Sequence, residues 1–448
     1  MRVVDYFTLG WGSMVGVGWL VVMDDWLLRG GPLGAILGFA LGGALLLPIG
    51  YVYGQLVMAM PDAAGEIAYT AKVFSEKTSF ATGWMMVLAY FIVCPWEAVA
   101  TGRIAAYIFP SLNRYELYRV GDKPVYLPHV VVGLALTIFL TTLNYRGIRL
   151  SATFQNWTAF GTIALFVVFV SFGAAHGSSQ NFTPLFNGGS IFISVFLVMQ
   201  IVPYFMTGFE SVAKAAEEAS PEFRQQGFFK AILMAIVVGI VFYTVIISAV
   251  AYAAPWKALT STPFMTAVAF EHAVGARWIV NVILASALLS LVKVFNGNFV
   301  AASRLVFALG RRGLIDRRCS RVHPLYRTPS AAVMAVGVGT AICMFLGQAA
   351  LVPISEVGSV ASASGWMAAC AAYFAMHPSP GRKITAAAGA LIGLAMIFMK
   401  IMPALPGHFS VYEWLALAAW IVLGEFLYWG AKSSVASPSN SASSGETA

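Results

Sequence analysis

The sequence predicts an all-α membrane protein with about twelve transmembrane helices of roughly 20 residues or more. Of its 448 residues, 59% are hydrophobic and only 10% are charged, and the mean hydropathy is +0.79. Soluble globular proteins carry about 25% charged residues. The apolar runs are also longer than the ~20 residues that a helix needs to cross a bilayer. Composition and run length therefore both indicate a chain that is embedded in lipid.

Apolar runs predict the spans in chain order, with polar connections between them. They lie near residues 6–29, 32–60, 81–110, 127–143, 151–175, 189–216, 228–254, 277–310, 329–347, 350–376, 383–402 and 410–430. A short amphipathic helix is predicted within 65–78, between the second and third spans. The polar segment 433–448 is expected to form a disordered cytoplasmic tail, because it has no apolar surface to bury.

The distribution of positive charge predicts the orientation. Most of the 27 Lys and Arg residues fall on connections that share one side of the membrane with the N-terminus. The positive-inside rule then places both termini in the cytoplasm of a multi-pass protein of the cell membrane. The net charge of +8 follows from this bias, so it predicts no nucleic-acid partner. The four cysteines lack metal or redox spacing and no nucleotide-binding or hydrolase motif occurs, so we expect no enzyme, metal or cofactor.

The first span begins with an unusual run of glycine, GWGSMVGVGW at residues 10–19. Each glycine destabilises a helix by about 1 kcal/mol relative to alanine, and a broken helix is tolerated at membrane depth only where it lines a protein cavity. The sixth span contains a second candidate break around Pro203 and Gly208. Breaks in the first and sixth helices are typical of two inverted five-helix repeats that bind a substrate between them. Close helix packing at small residues is the alternative explanation.

Four segments resemble, in order, the motifs of the amino acid–polyamine–organocation (APC) permeases. These are GWGSMVGVGW (10–19), MPDAAGEIAYTAKVF (60–74), FMTGFESVAKAAEEASPE (205–222), and ASRLVFALGRRGLI (302–315) with RVHPLYRTP (321–329) after it. The resemblance implies a LeuT-like fold that works by alternating access. Its inverted-repeat core would be residues 1–376, with repeats at about 6–175 and 189–376, and two additional helices would follow at 383–430.

The resemblance also implies a substrate site between the two broken helices. Amides of the first break would bind a substrate carboxylate, carbonyls of the sixth would bind its ammonium, and two phenylalanines would close over it as a gate. One further position, on the third span, matches a residue that lines this site. The implied binding residues are Gly12, Ser13, Met14, Val15, Gly16, Cys94, Phe205, Met206, Gly208 and Phe209.

The chain departs from the family at a position linked to ion coupling. Many bacterial members carry a lysine in the fifth span, where sodium-coupled relatives keep a sodium site, but here Thr162 matches that position. Lys293, in the eighth span, matches a small hydroxyl residue that faces the same site. A lysine at mid-membrane costs roughly 2.5–3.5 kcal/mol, so we expect it to face the interior and to have a partner. It could replace sodium on the first-span carbonyls and release a proton. A structural ion pair with Glu97 or Glu210 is the alternative.

The acidic residues leave several interpretations open. Glu97 is a proton carrier, a contact for a substrate ammonium, or the partner of Lys293, and Glu210 is expected at a gate or in proton coupling. Asp24 and Asp25 form a solvated helix end or an acidic vestibule for a cationic substrate. We expect the acidic pair 217–218 to be solvated.

These features predict a secondary transporter for amino acids that is independent of sodium and either proton-coupled or exchanging. A transporter or antiporter of cationic amino acids, polyamines or other organic amines is the first alternative, and a non-transporting amino acid sensor is the second. A channel is disfavoured, because the intramembrane charges are few and cluster near one depth. We expect a monomer or homodimer whose partners are the small-molecule substrate, protons and the lipid bilayer.

Overall fold

The computed structural model of the chain describes residues 1–436 apart from residues 122, 189 and 263. Its helices are α1 Val3–Met14, α2 Gly18–Val21, α3 Met23–Ala44, α4 Leu46–Ala59, α5 Glu66–Ala71, α6 Glu76–Phe91, α7 Val93–Ile108, α8 Leu127–Arg146, α9 Ile148–His176, α10 Ile191–Met199, α11 Val202–Phe205, α12 Ser211–Lys214, α13 Gln226–Ala253, α14 Trp256–Leu259, α15 Met265–Val274, α16 Trp278–Arg311, α17 Ser330–Cys343, α18 Leu351–Ala375, α19 Pro380–Ile401 and α20 Val411–Ala436. An antiparallel hairpin of β1 Glu116–Val120 and β2 Lys123–Tyr126 joins α7 to α8. The predicted all-α membrane fold is confirmed.

Several helices are long and apolar enough to cross a membrane. In the described part of the chain these are eight segments: Met23–Ala59, Glu76–Ile108, Leu127–Arg146, Ala152–His176, Gln226–Ala253, Trp278–Arg311, Pro380–Ile401 and Val411–Ser433. A ninth results if Ser330–Leu346 and Gln348–Ala375, bent by 97° relative to each other, count as one span. The count of twelve remains a prediction, because the first and sixth predicted spans consist of short helices. The predicted tail lies outside the described residues from position 437 onward.

The first predicted span is interrupted by a short non-helical stretch. Helix α1 ends at Met14 and α2 begins at Gly18, so the break covers Val15–Val17 rather than the predicted residues 12–16. The helix continues past Gly12 because the Ser13 hydroxyl donates to the Leu9 carbonyl one turn earlier, at 2.7 Å. Gly12 serves close packing instead, since a Cβ there would overlap the Gln155 amide.

The sixth predicted span is interrupted after α11. Turns occupy residues 206–210 before the single turn of α12 begins at Ser211. Gly208 has a φ of 137°, which L-residues with a side chain rarely adopt. A Cβ at Gly208 would lie 2.6 Å from the Met14 backbone nitrogen. The two breaks therefore touch through their main chains, and glycine is required at the contact.

The helices around these breaks form the buried centre of the molecule. Helix α16 packs against α1, α6, α7 and α9, and α13 packs against α1, α3 and α4. Fully buried tryptophans surround this centre, at positions 11, 19, 26, 96 and 366. The last two helices lie further out, where α19 packs on α18 and α4, and α20 packs on α18 and α6. The breaks are thus enclosed by protein, as unsatisfied main-chain groups at membrane depth require.

Candidate functional site

Lys293 reaches from α16 into the first break. Its side chain is fully buried, and its Nζ donates to the carbonyls of Val15 at 2.5 Å and Gly12 at 3.3 Å. The ammonium also lies 4.4 Å from the centre of the Trp11 ring, a cation–π distance. The ammonium therefore lies on main-chain oxygens, where a bound cation would otherwise be needed. Its role in coupling remains a prediction.

Two other side chains of α16 bind the same stretch of main chain. The Ser290 hydroxyl lies within hydrogen-bond distance of the carbonyls of Val15 (3.0 Å) and Gly16 (2.8 Å). The Asn298 amide donates to the Ser13 carbonyl at 2.8 Å. The sequence analysis missed both residues. Their spacing from Lys293 along α16 could have identified them, but only if it had been known that this face of α16 meets the first break.

Thr162 lies on α9 and is fully buried. Its hydroxyl donates to the Thr158 carbonyl of its own helix at 2.8 Å. Polar links between α9 and the first helix come instead from Gln155, whose amide donates to the Thr8 carbonyl at 3.4 Å, and from Asn156, whose amide donates to the Asp5 carboxylate at 2.7 Å. Asn296 of α16 donates to the Gln155 carbonyl oxygen at 3.0 Å. The sequence analysis also missed these links. A role of Thr162 in ion coupling or gating remains a prediction.

Most of the amides predicted to bind a carboxylate already have acceptors. Ser13 and Met14 lie at the end of α1, where amides donate to the preceding turn. The Val15 amide donates to the Trp11 carbonyl at 3.0 Å. Of the four predicted donors, Gly16 alone has no backbone acceptor among the described residues. Because the other three amides already donate to carbonyls, only the Gly16 amide remains as a predicted donor to a substrate carboxylate.

Glu97, on α7, lies directly against the first break. Its side chain is 2% exposed, and a Cβ on Gly16 would overlap one of its carboxylate oxygens. The Val17 amide is a hydrogen-bond donor toward this carboxylate. Lys293 is the cation with which Glu97 interacts electrostatically. The other carboxylate oxygen, Oε2, has no hydrogen-bond partner among the described residues.

The carbonyls of the sixth break are bound less completely. The Tyr243 hydroxyl lies 2.9 Å from the Phe205 carbonyl and 3.1 Å from the Met14 carbonyl, so it bridges the two breaks. The Ser211 amide donates to the Gly208 carbonyl at 2.9 Å. In the described part of the chain the Met206 carbonyl receives no donor. Tyr243 was missed, because nothing in the pattern of α13 indicates which of its tyrosines faces the breaks.

Glu210 belongs to a different cluster from Lys293. Its carboxylate accepts a hydrogen bond from the Gly208 amide at 3.1 Å, so it holds the conformation of the sixth break. Its nearby cation is Lys214, whose ammonium contacts the Glu210 carbonyl at 3.3 Å and forms a fully buried ion pair with Glu66. The electrostatic partner of Lys293 is therefore Glu97 and not Glu210, but the described residues show no ion-pair contact between Lys293 and Glu97.

The two predicted gate phenylalanines are both buried and pack on different aromatic groups. Phe205 makes an edge contact with Trp26, with ring centres 4.8 Å apart. Phe209 packs against Trp366 at 5.4 Å and Tyr53 at 5.8 Å. Phe205 thus ends α11 whereas Phe209 lies within the break, and the two rings contact different aromatic side chains. Cys94 is buried one turn before Glu97, and its thiol donates to the Tyr90 carbonyl at 3.7 Å.

Comparison with known proteins decides the family. A family model described as amino acid permease matches residues 2–426. The chain belongs to the amino acid permease family. This match, together with the relatives, confirms the predicted membership of the APC superfamily.

Individual relatives carry the names of permeases and transporters rather than of enzymes. The chain is 24% identical to the methylthioribose transporter of Bacillus subtilis over 434 residues, which are 95% of this chain and 91% of the relative. It is 22% identical over 440 residues to the branched-chain amino acid permease BcaP of the same organism, with the same coverage. It is 27% identical over 352 residues to the aspartate-proton symporter, covering 74% of this chain and 64% of the relative. These relatives and the apolar helices identify an integral membrane protein.

Ion pairs close one end of this permease around α16. Arg311 contacts Asp62 at 3.3 Å and Glu217 at 3.0 Å, and Arg304 pairs with Glu218. Glu217 is exposed, as expected of a solvated residue, and also contacts Arg311, whereas Glu218 is half-buried against Arg304. Burial would raise the pKa of Glu217, but the hydrogen bond and charge of Arg311 hold it below its ordinary value.

A second ion-pair network lies at the other end of the permease. Arg29 contacts Asp25 and Glu356, each at 2.7 Å, and Lys400 of α19 pairs with Glu356. Asp25 is thus held in a network, whereas Asp24 interacts electrostatically with Arg103 of α7. Neither of the two predicted alternatives for this acidic pair describes Asp25, because both leave out its basic neighbours.

Proposed function

We propose that this permease is a secondary active transporter that carries amino acids or related small amines across the cell membrane by alternating access. The observation that carries this proposal is the contact between two broken helices in the buried centre, where Gly208 packs on the Met14 backbone. Half-helix ends at such a contact present main-chain dipoles to a bound molecule. If the glycines served only close helix packing, neither of the two helices would need to be broken at the contact.

The occupied cation position supports sodium-independent transport. Lys293 places its ammonium on the Gly12 and Val15 carbonyls, which are the hard oxygen ligands that an alkali cation would use. With a fixed positive charge there, the carrier does not need a sodium ion to hold the first break together. Coupling to protons, or exchange of one substrate for another, then supplies the driving force. The name of one relative, the aspartate-proton symporter, is consistent with the first of these.

The arrangement in the membrane follows from the same proposal. Residues 1–376 form the transport core as two repeats, about 6–175 and 189–376, and the helices at 383–430 are additional to it. Both termini are cytoplasmic, so the ion pairs around Arg311 form the inner gate and those around Arg29 lie at the outer mouth. The site works within one chain, whether the protein is a monomer or a homodimer.

The printed names of the relatives include methylthioribose, which has no carboxylate, as well as branched-chain, aromatic and acidic amino acids. They therefore support a small-molecule carrier without choosing the substrate. Glu97 is the observation that favours the alternative of an organic amine, since it places a carboxylate in the site.

Counterflow in proteoliposomes tests the proposal. Vesicles are loaded with an unlabelled amino acid or amine and diluted into labelled compound, in sodium buffer and in choline buffer. A carrier accumulates label by exchange, and we expect equal rates in the two buffers. Binding without accumulation would instead identify a sensor, and uptake that unlabelled internal substrate does not accelerate would identify a channel. A strict requirement for sodium would contradict the role proposed for Lys293.

A further inference from the structure

The carboxylate of Glu97 lies where an incoming carboxylate would have to bind. It touches Gly16, whose amide is the one predicted donor left without a backbone acceptor. The next amide, that of Val17, is directed toward Glu97 itself. The exposed amides of the break therefore already have a negatively charged group against them, supplied by the protein.

A second carboxylate at this position would be opposed by charge. Two carboxylates that share one buried site cannot both remain ionised without a strong mutual penalty. Lys293 does not remove this conflict, because its ammonium is turned onto the carbonyls of Gly12 and Val15 and onto the Trp11 ring. When Lys293 and Glu97 are both ionised their charges cancel, and an added anion would be left without a counter-charge.

The groups without partners at the site include several hydrogen-bond acceptors that a ligand ammonium could reach. In the described part of the chain, Glu97 Oε2 and the Met206 carbonyl lack donors, and the Tyr204 hydroxyl has no partner. The Glu97 carboxylate interacts electrostatically with the hydroxyls of both Tyr204 and Tyr243, so it faces the sixth break as well as the first. The Ser290 hydroxyl and the Asn298 amide bind main-chain carbonyls, so these two side chains are not available as donors to a ligand. An ammonium group, with three donors and no acceptor, complements this set.

We propose that Glu97 fills the anion-binding position of the first break, so that this permease selects organic amines that lack a carboxylate. This inference rests on the proposed transport function and specifies its substrate class. The substrate ammonium lies between Glu97 and the sixth-break carbonyls, and the rest of the molecule lies against Phe205. An amino acid is excluded by its carboxylate, not by its size.

Matched pairs of compounds that differ only by the carboxylate test this proposal. The full chain in proteoliposomes is assayed for counterflow with L-leucine and isopentylamine, L-phenylalanine and phenylethylamine, and L-ornithine and putrescine. We expect kcat/KM for at least one amine to exceed that of its parent amino acid by about tenfold or more, the discrimination that one unfavourable charge contact produces. Glu97→Gln should lower amine uptake by a similar factor and raise uptake of the parent amino acid.

Glu271→Gln is the control, because this carboxylate is on α15, paired with Arg277 at 3.2 Å and far in sequence from the breaks. The ratio of kcat/KM for an amine to that for its parent amino acid should be the same in this variant as in the unmodified protein. If Glu97→Gln does not yield folded protein, the preference of the unmodified protein decides alone. Preference for the amino acid in every pair would overturn the proposal, as would equal losses for amine and amino acid in Glu97→Gln. Failure of all six compounds to exchange would instead count against the proposed transport function.

Discussion

At the scale of single residues, Lys293 carries the strongest electrostatic role in the site. Burial of an unpaired ammonium at membrane depth is costly, and here main-chain carbonyls, an aromatic ring and a nearby carboxylate compensate for it. The sequence predicted that this lysine faces the interior, because an apolar span tolerates a charge only there. It did not predict that Ser290 and Asn298 share the task, since serine and asparagine are common in helices that have no site.

Lys293→Ala removes the donor that binds the Gly12 and Val15 carbonyls. We expect transport in proteoliposomes to fall by about tenfold or more and its dependence on pH to flatten, because the predicted coupling group and its hydrogen bonds are both lost. Lys230→Ala, at an exposed position of α13, is the matched control. A Lys293→Ala protein with the normal rate and pH profile would show that this ammonium is neither a coupling group nor needed for the break.

Gly208→Ala adds a single methyl group at the contact between the breaks. The φ of 137° and a distance of 2.6 Å from the added Cβ to the Met14 nitrogen leave no room for it, so we expect loss of uptake and a lower unfolding temperature. Gly381→Ala, where nothing lies within 4 Å of a Cβ, should behave as the unmodified protein. Equal uptake by the two variants would mean that the breaks do not meet as described.

At the scale of elements, the position of the first break shows how far sequence reasoning reaches. Glycine content correctly indicated an interrupted helix, because glycine weakens helices wherever it occurs. It misplaced the interruption by about one turn, since Gly10 and Gly12 serve packing against neighbouring helices rather than unwinding. Which of several glycines breaks a helix depends on side chains from other elements, such as Gln155, that a single sequence does not bring together.

Tyr243→Phe tests the connection between elements that the sequence could not reveal. The hydroxyl of Tyr243 bridges the Met14 and Phe205 carbonyls, and its loss leaves a buried carbonyl without a donor at about 1–3 kcal/mol. We expect a lower unfolding temperature and slower transport, measured on the same preparation. Tyr252→Phe, further along α13, is the control. An unchanged unfolding temperature and transport rate in Tyr243→Phe would show that this hydroxyl does not hold the two broken helices together.

At the scale of the whole molecule, we expect opening and closing to depend on the ion pairs at its two ends. The sequence did not predict that Glu217 and Asp62 come from separate segments to meet Arg311. Charged residues in connections are solvated in most proteins, so only the packed structure identifies a closed gate. The membrane class was predictable because composition reports it directly, whereas the partners of each charge were not.

Arg311→Gln combined with Arg312→Gln should open the inner end, because together they remove the charges that hold Asp62 and Glu217. We expect a cysteine placed at Ser303, which lines the cavity at this end, to react several-fold faster with a maleimide in a Cys319→Ser background. Arg317→Gln, on the following loop, is the control. Unchanged reactivity would mean that these ion pairs do not form a gate.

The pH dependence of the same gate has a defined sign. Because Arg311 holds the pKa of Glu217 below its ordinary value, the ionised pair stabilises the closed gate above the ordinary carboxylate pKa. That contribution is lost only as pH falls through the lowered pKa. We expect the labelling rate at position 303, divided by the rate for a free thiol at the same pH to correct for the loss of thiolate, to stay constant from about pH 8 to pH 5 and to rise only in stronger acid. A rise in this labelling rate near neutral pH would show that a group other than Glu217 controls the gate.

The central claim is that the two breaks enclose the substrate, and a structure of the full chain with a transported compound bound tests it most directly. The account predicts ligand density between Val15–Val17 and Met206–Glu210, in contact with Glu97. Density at either ion-pair network or toward lipid, with unbroken helix through both stretches, would contradict it.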